Sequence, residues 1–575
     1  MAAQKALIRC HAMPFGAEVT SEGVRFRLWA PAAQDVALSI GKHLIPMPKV
    51  DAGWFELLHS AKPGTLYRYC INGEHFVPDP ASRFQPKDAE GPSEVIDPAA
   101  FKWKDGKWKR RPWHEAVLYE LHVGSFSKEG TYDGVRKKLD HLKKTRITAI
   151  ELMPLSDFSG KRNWGYDGVL AYAPDSRYGR PEDLKALVQA AHAAGLMVFL
   201  DVVYNHFGPK GNFLHQYAPQ FFTDRYQTPW GAAIDFESRW VREYFVHNAR
   251  YWIDEYHFDG LRFDAVHAIF DDSPRHILDE IRQAIAPEIH LVLENDANQA
   301  RFIGPGKYTA QWNDDSHHAY HLLATGEKDG YYLDYADAPA KHLARCLAEG
   351  FAYQGDFSAF RQKPRGARSA HLPATSFVDF LQNHDQIGNR AFGERLICLT
   401  DEKILKALAA IFLLAPSPPL LFMGEEWGCR QPFLFFCDFP GDLGEAVRKG
   451  RREEFARFAA FEDPAARERI PDPLAPRTFK ACVLDWQKRD KGWLAFYQKL
   501  LALRRRHVVP RLRDIKGGRY RMLGERAFEV AWDDLVLTAN CGSAPLSVER
   551  PSGRVIWSST KTAGEPWSVH WWLKT

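Results

Sequence analysis

Four short apolar runs in this 575-residue chain close on groups able to do nucleophilic or acid–base chemistry. VFLDVVYNH ends with Asp201, Asn205 and His206, FDGLRFDAVH with Arg262, Asp264 and His267, LVLEND with Glu294, and DFLQNHDQ with His384 and Asp385. Any one of these acids alone reads equally well as a helix cap or loop anchor. Four strand ends carrying such groups in one chain point to a shared site. Arg262 and Asp264 stand two apart, so on a strand they share a face, and the guanidinium holds the carboxylate ionised, as a nucleophile requires. Glu294 follows Leu291-Val292-Leu293, and a carboxyl desolvated by apolar neighbours has its pKa raised, as a general acid requires. An acid and a nucleophile so paired are equipped to split an acetal at a sugar. In retaining glycosidases the two carboxyls stand about 5 to 5.5 Å apart and the route runs through a covalent glycosyl-enzyme. A third carboxylate can bind sugar hydroxyls and stabilise the oxocarbenium-like charge.

These groups need a scaffold that aims strand ends at one rim. After Trp113 the sequence alternates short, nearly continuous apolar runs with helix-length segments. Eight strand candidates are read at 117–123, 147–153, 196–203, 258–263, 289–293, 309–312, 376–381 and 419–423, with amphipathic segments at 181–194, 239–256, 273–285 and 401–414 between them. Eight buried parallel strands joined by helices predict an α/β fold, a (β/α)8 TIM barrel with its chemistry at the C-terminal strand ends. The segment 494–506 reads as a closing helix. Residues 1–95 alternate with period two (Val24, Phe26, Leu28; Val36, Leu38, Ile40) and carry Asn72-Gly73, a hairpin signal, which predicts an N-terminal β-sandwich. The stretch to Trp113 reads as a linker or docking strap, with the linker proper at 96–112. The barrel is expected over 113–508, and 509–575 returns to short alternating strands, a C-terminal antiparallel β-domain.

Composition excludes several classes. Hydrophobic residues at 45% and charged at 26% are those of an ordinary globular protein, and 76 Lys plus Arg against 72 Asp plus Glu leave only +4. That balance argues against nucleic acid or an anionic membrane as the main partner and suits an uncharged ligand. No run reaches the ~18 apolar residues of a membrane span, and MAAQKALIRCHAMPFG lacks a leader pattern, so a cytoplasmic location is expected. Eight cysteines without a CxxC pair read as free thiols in a reducing compartment. Aromatics at 13% suit the C–H faces of sugars and serve equally as core; Trp164, Tyr166, Trp312 and Trp427 stand at strand ends. No metal and no cofactor is expected, and the chain is expected to act as a monomer or weak homo-oligomer.

DVVYNH, GLRFDAVH, the strand-five Glu and QNHDQ resemble, in order, the four signature regions of the α-amylase superfamily of glycoside hydrolases, and MPLSDF resembles the fifth. The resemblance implies Asp264 as nucleophile, Glu294 as acid/base and Asp385 as transition-state stabiliser. It further implies that His206, Arg262 and His384 contact the sugar at the cleavage point, with Asn383 and Gln386 beside them, and that Tyr166 of WGYDG stacks on it. His267-Ala268 stand where many α-amylases have Lys-His, so contacts on the leaving-group side should differ. VRFRLWAPAAQDVAL resembles the immunoglobulin-like, carbohydrate-binding-type module of branching, debranching and trehalose-releasing enzymes. ENDANQ, AQWNDDSHHAYHLLATGEKDGYYLDY, LQNHDQIGNRAFGERL and FMGEEWGCRQPFLFFCDF are similar to the family of malto-oligosyltrehalose trehalohydrolases. That implies a maltooligosyl trehalose substrate cut at the α-1,4 bond next to its terminal trehalose. Recognising such an end calls for fixed polar groups; Asn313, Asp314, Asp315, His317 and His318 offer them, or else form a helix N-cap with histidines packed below. Glu425 and Glu426 read as loop anchors. An α-1,4-glucan branching enzyme, α-amylase or debranching enzyme would use the same three carboxylates.

Overall fold

The computed structural model describes residues 11–574. Residues 1–10, which carry most of the stretch read for a leader and include Cys10, and Thr575 lie outside the described residues. Strands Gly16–Thr20, Gly23–Trp29 and Trp54–His59 form one antiparallel sheet, and Val36–Ile40, His43–Pro46, Leu66–Ile71 and His75–Val77 a second, on which Ser93–Glu94 pairs with Leu66–Ile71. The alternation in GVRFRLW does what period two requires: Val24, Phe26 and Leu28 are buried between the sheets while Arg25 and Arg27 face outward. Phe26 meets Tyr67 of the second sheet edge-on at 4.9 Å. Asn72 and Gly73 both take positive φ, 52° and 74°, the left-handed pair that a tight hairpin demands.

The strap after this sandwich runs under the barrel. Trp103 stacks on His257 at 3.8 Å and Trp108 on His192 at 4.6 Å, while the Trp108 indole N–H donates to Asp259 (2.8 Å) and that of Trp113 to the Thr375 carbonyl (2.7 Å). The intervening Lys102, Lys104, Lys107 and Lys109 are exposed. His192 lies between the Asp105 and Asp259 carboxylates at 3.1 and 3.0 Å. Burial alone would lower His192, but the two carboxylates outweigh it and raise its pKa.

Eight parallel strands follow: Leu118–Leu121, Ala149–Leu152, Met197–Val202, Gly260–Phe263, His290–Leu293, Ala310–Trp312, Phe377–Val378 and Leu420–Phe422. The eighth pairs with the first, and a parallel bridge between Asp379 and Pro419 joins seventh to eighth, so the sheet closes on itself. Helices Pro181–Ala194 and Arg239–Tyr256 coincide with the amphipathic segments read in the sequence. The segment at 273–285 shortens to Ile277–Ala284, because Asp271 accepts from the N–H groups of Ser273 and Ile277 and holds a turn there. Asp401 caps Glu402–Leu414, and Asp490 caps Lys491–Leu503. The PSPP break after Leu414 is satisfied by Arg504, whose buried guanidinium donates to the carbonyls of Ala415, Pro416 and Ser417. No described helix is long and apolar enough to cross a membrane. The tail forms a five-stranded antiparallel sheet of Arg519–Gly524, Ala527–Trp532, Leu535–Asn540, Ser568–Leu573 and Arg554–Ser558. Two indoles tie it to barrel helices: Trp532 donates to Leu347 O and Trp571 to Ala410 O.

Candidate active site

Inside the barrel, Leu118, Ala149, Met197, Phe199, Val292, Ala310, Trp312 and Val378 form one apolar cluster. Side chains alternate faces along a strand, so the next inward positions are Glu120, Glu151, Asp201 and Glu294. Asp201 is the strand partner of Arg262, which places that guanidinium on the same inner face, with Asp264 two residues on. The apolar floor thus gives way, one layer higher, to a ring of ionisable groups at the C-terminal mouth.

Arg262 is the hub of that ring. Its Nη1 lies 2.6 Å from Asp201 and 2.9 Å from Asp264, and its Nη2 lies 2.7 Å from Glu294. Its flat face rests on the Trp312 ring, 4.2 Å from the centroid. The Ala265 N–H adds a second donor to Glu294 at 3.0 Å; Ala265 takes φ 40°, a conformation L-residues seldom adopt and one that the surroundings must impose. Asp385 lies beside His384, 3.4 Å from its Nε2. The His384 ring stacks on Tyr166 at 4.9 Å, and the Tyr166 hydroxyl donates to Asp201 at 2.6 Å. The structure therefore brings Asp264, Glu294, Asp385, Arg262, His384 and Tyr166 to one mouth.

The expectation of a raised Glu294 and an ionised Asp264 is reversed here. Burial pushes Glu294 up, but Arg262, then His267 and the Ala265 N–H, outweigh it and hold that carboxyl below its usual range. Burial raises Asp264 well above the usual range, with Glu294, Asp201 and Asp385 adding to it against Arg262. Counting the apolar neighbours Leu291–Leu293 missed the cation that strand four delivers to Glu294. Asp385 is raised by burial and by Glu294.

The remaining predicted residues divide. His206 donates from Nε2 to the Tyr166 carbonyl at 3.0 Å, and burial lowers its pKa to about 4. His267 is exposed on the rim, where its Nδ1 accepts from the Asp296 N–H. Asp314, first residue of helix Asp314–Thr325, sits among these charges: burial, then Glu294, Asp296 and Asp385, push it well above the usual carboxylate range. Gln386 accepts from the Tyr331 hydroxyl at 3.2 Å, and Tyr331 lies 4.6 Å from the His318 ring. Asp315 is elsewhere: fully buried, it accepts from Arg365, Tyr335, Asn298 and the N–H groups of Ala352 and Tyr353. With five donors it is committed to holding a loop. Asn313 and Asn383 are also internal, the first donating to Gly350 O and the second capping the turn that carries His384 and Asp385. His317 stacks on Phe380. Of the aromatics at strand ends, Trp164, Trp312 and Trp427 are buried and only Tyr166 is partly exposed. Glu425 is bonded to Gln382 and Tyr497, and Glu426 to Tyr119 and His141.

Three residues escaped the sequence reading. Glu120, inside LYEL, holds His384 by Nδ1 at 2.5 Å and by its backbone N–H at 3.1 Å. Glu151, inside AIEL, is buried with no hydrogen-bond partner among the described residues, and burial with the nearby charges of Glu120 and Asp201 raises it well above its usual range. A carboxylate in an otherwise apolar strand was the signal for both. Trp230, at the tip of the hairpin Phe222–Thr228 and Gly231–Ile234, is 47% exposed and stacks on His206 at 4.6 Å; nothing in TPWGA announces it.

Burial pulls His384 down, yet Asp385 and Glu120 more than offset this and push it up to about 9. A raised folded-state value stabilises the fold fully below the ordinary ~6.5 and ceases to do so as pH climbs through about 9. Glu120→Gln is therefore expected to move the alkaline limb of the kcat/KM profile acidward by one unit or more, with little change at pH 5.5. An unmoved alkaline limb would remove Glu120 from this role.

Family models match at residues 14–100 (carbohydrate-binding module 48, isoamylase N-terminal domain), 83–230 (alpha amylase, catalytic domain) and 516–571 (DUF3459, a domain of unknown function). The chain is 44% identical over 496 residues to the malto-oligosyltrehalose trehalohydrolase of Deinococcus radiodurans, covering 85% of this chain and 82% of that protein. It is 41% identical over 522 residues to the enzyme of that name from Saccharolobus solfataricus, 88% and 90% covered. A 1,4-alpha-glucan branching enzyme of Picrophilus torridus matches at 34% over 44% of this chain and 39% of its own. A solved structure from Salmonella typhimurium, described as an alpha amylase, superposes with TM-score 0.94 at 44% identity, covering 98% of this chain and all of that one. A Paenibacillus barengoltzii pullulanase, at 20% identity and TM-score 0.73 over 99% and 96% of the two chains, shares the fold.

Proposed function

This chain belongs to the malto-oligosyltrehalose trehalohydrolases of the α-amylase superfamily, and we propose that it hydrolyses the α-1,4 bond next to the terminal trehalose of a maltooligosyl trehalose. The observation that carries the chemistry is one guanidinium bridging Asp264 and Glu294 at the barrel mouth; a single planar fork spanning both acids favours the close spacing of double displacement over the wider gap that an inverting enzyme leaves for water. Asp264 attacks the anomeric carbon as Glu294 protonates the departing trehalose oxygen. Water, deprotonated by Glu294, then attacks the same carbon and frees Asp264, so the configuration is retained.

The first step needs the proton on Glu294 and the charge on Asp264, against the directions in which their surroundings push the two carboxyls at rest. These carboxyls titrate as one cluster. When the glycosidic oxygen takes its place against Glu294 the Arg262 contact there opens, the largest influence lowering that carboxyl is lost and its proton affinity rises, while Nη1 keeps its hold on Asp264. Asp385 and protonated His384 bind hydroxyls of the same sugar, Tyr166 and Trp230 offer ring faces, and Asp314, His318, Gln386 and Tyr331 line the leaving-group side. Asp315 supports their loop from within and touches no substrate.

The seven described cysteines are unpaired, as a cytoplasmic enzyme's would be. Incubation with maltotriosyl trehalose is expected to release free trehalose and maltotriose. New branch points from amylose with no trehalose would instead favour the branching reading that the Picrophilus torridus match suggests, and rapid starch or pullulan cleavage an amylase or debranching one.

A further inference from the structure

Away from the barrel mouth, a cavity of about 570 Å³ opens where the C-terminal sheet meets two barrel helices. Trp557 and Trp567 come from the sheet, Phe496 from helix Lys491–Leu503, and Lys406, Glu402 and Asp401 from the start of helix Glu402–Leu414. Both tryptophans are aimed by irregular backbone. The pairing of Arg554–Ser558 with Ser568–Leu573 shifts register between Val555 and Trp557, and a bulge of this kind re-aims the side chain beside it. Trp567 takes φ 55°, a left-handed conformation that is an outlier for a bulky residue and persists only where its surroundings impose it. Both rings pack one side against the main core and remain partly exposed on the other.

The chemistry of the lining selects a ligand class. Two indoles and a phenyl ring supply flat apolar faces. The four ionised lining groups, Asp401 and Glu402 against Lys403 and Lys406, cancel, which disfavours an anion or cation and suits a neutral polyol with many hydroxyls. The volume lies in the ordinary range for a small-molecule site. Helix Glu402–Leu414 follows the loop that carries His384 and Asp385, so its first turn lies on the same face of the barrel as the acids.

We propose that this cavity is a second glucan-binding site, in which a stretch of α-1,4-linked glucose lies across Trp557 and Trp567 with its hydroxyls on Lys406, Glu402 and Asp401. It gives the segment matched only as a domain of unknown function a task, holding the far end of a long substrate. The choice of glucan rests on the substrate proposed above.

The test uses the full chain with Glu294→Gln to stop turnover, titrated calorimetrically with maltoheptaose. Adding Trp557→Ala, or the cavity-blocking Ser558→Arg at an exposed position, is expected to remove one equivalent of bound maltoheptaose or weaken it by roughly tenfold. With Glu294 intact, both variants are expected to release trehalose from maltotriosyl trehalose at the unsubstituted rate and to show a raised KM only for long chains. Unchanged maltoheptaose binding in both variants overturns the proposal. Failure of the unsubstituted enzyme to release trehalose strikes the proposed reaction instead, and leaves the titration readable.

Discussion

Asp264→Ala is expected to cut turnover of maltotriosyl trehalose by roughly 10⁴-fold or more, because it removes the atom that forms the bond to the sugar, and no other group takes up that position. Asp201 cannot substitute: it is held by both Arg262 and the Tyr166 hydroxyl. The truncation leaves a space beneath the anomeric carbon and relieves like-charge crowding with Glu294, so the fold should survive. Azide supplied at high concentration is expected to restore part of the rate and to yield a β-glycosyl azide, since the small anion enters from the face the carboxylate occupied. Full activity in Asp264→Ala, or azide rescue giving an α-glycosyl azide, would contradict the nucleophile assignment.

Arg262→Met should damage stability as well as rate. The guanidinium is fully buried and meets three carboxylates, and taking one partner out of a buried ion network leaves the others uncompensated, at a cost of about 3–5 kcal/mol. The loss has a pH signature. Without the cation Asp201 and Asp264 rise further above their unfolded-state values and Glu294 loses the main influence that lowers it, so the native state binds more protons than the unfolded one and stability falls as pH rises from the unfolded value near ~4. Denaturant midpoints should therefore differ from the unsubstituted protein far more at pH 8 than at pH 5. Arg262→Lys should recover part of the stability but little of the rate, because an ammonium cannot span Asp264 and Glu294 together. A deficit independent of pH would mean that Arg262 contributes packing on Trp312, and that the charge account is wrong.

What could be read ahead of the structure follows from periodicity. Strand runs such as VFLDV announce themselves, and two residues at strand spacing, Arg262 and Asp264, can be assigned one face without coordinates. Asp314 and Asp315 show where that stops: adjacent residues at a helix start point about 100° apart, so one joins the catalytic charges and the other is buried against Arg365, and the sequence does not say which. Glu120 and Glu151 were hidden inside apolar runs, although the alternation that puts Leu118 and Ala149 inward also puts them inward. The protonation of Glu294 depended on a cation thirty-two positions away in sequence, and Trp230 reaches His206 only through a hairpin whose docking is a tertiary fact.

Arg83, between strands His75–Val77 and Ser93–Glu94 of the N-terminal module, is buried against Glu255 of helix Arg239–Tyr256, at 3.1 Å, and Lys185 of the neighbouring helix holds the other oxygen of that carboxylate at 3.3 Å. This changes what counts as a separable part. Cutting the chain after residue 95 would take Arg83 from Glu255 and open this buried ion cluster to water, so the front module and the barrel are expected to melt in one calorimetric transition. A module locked to the barrel in this way keeps a fixed distance and angle to the mouth, as a ruler does and a tethered hook does not.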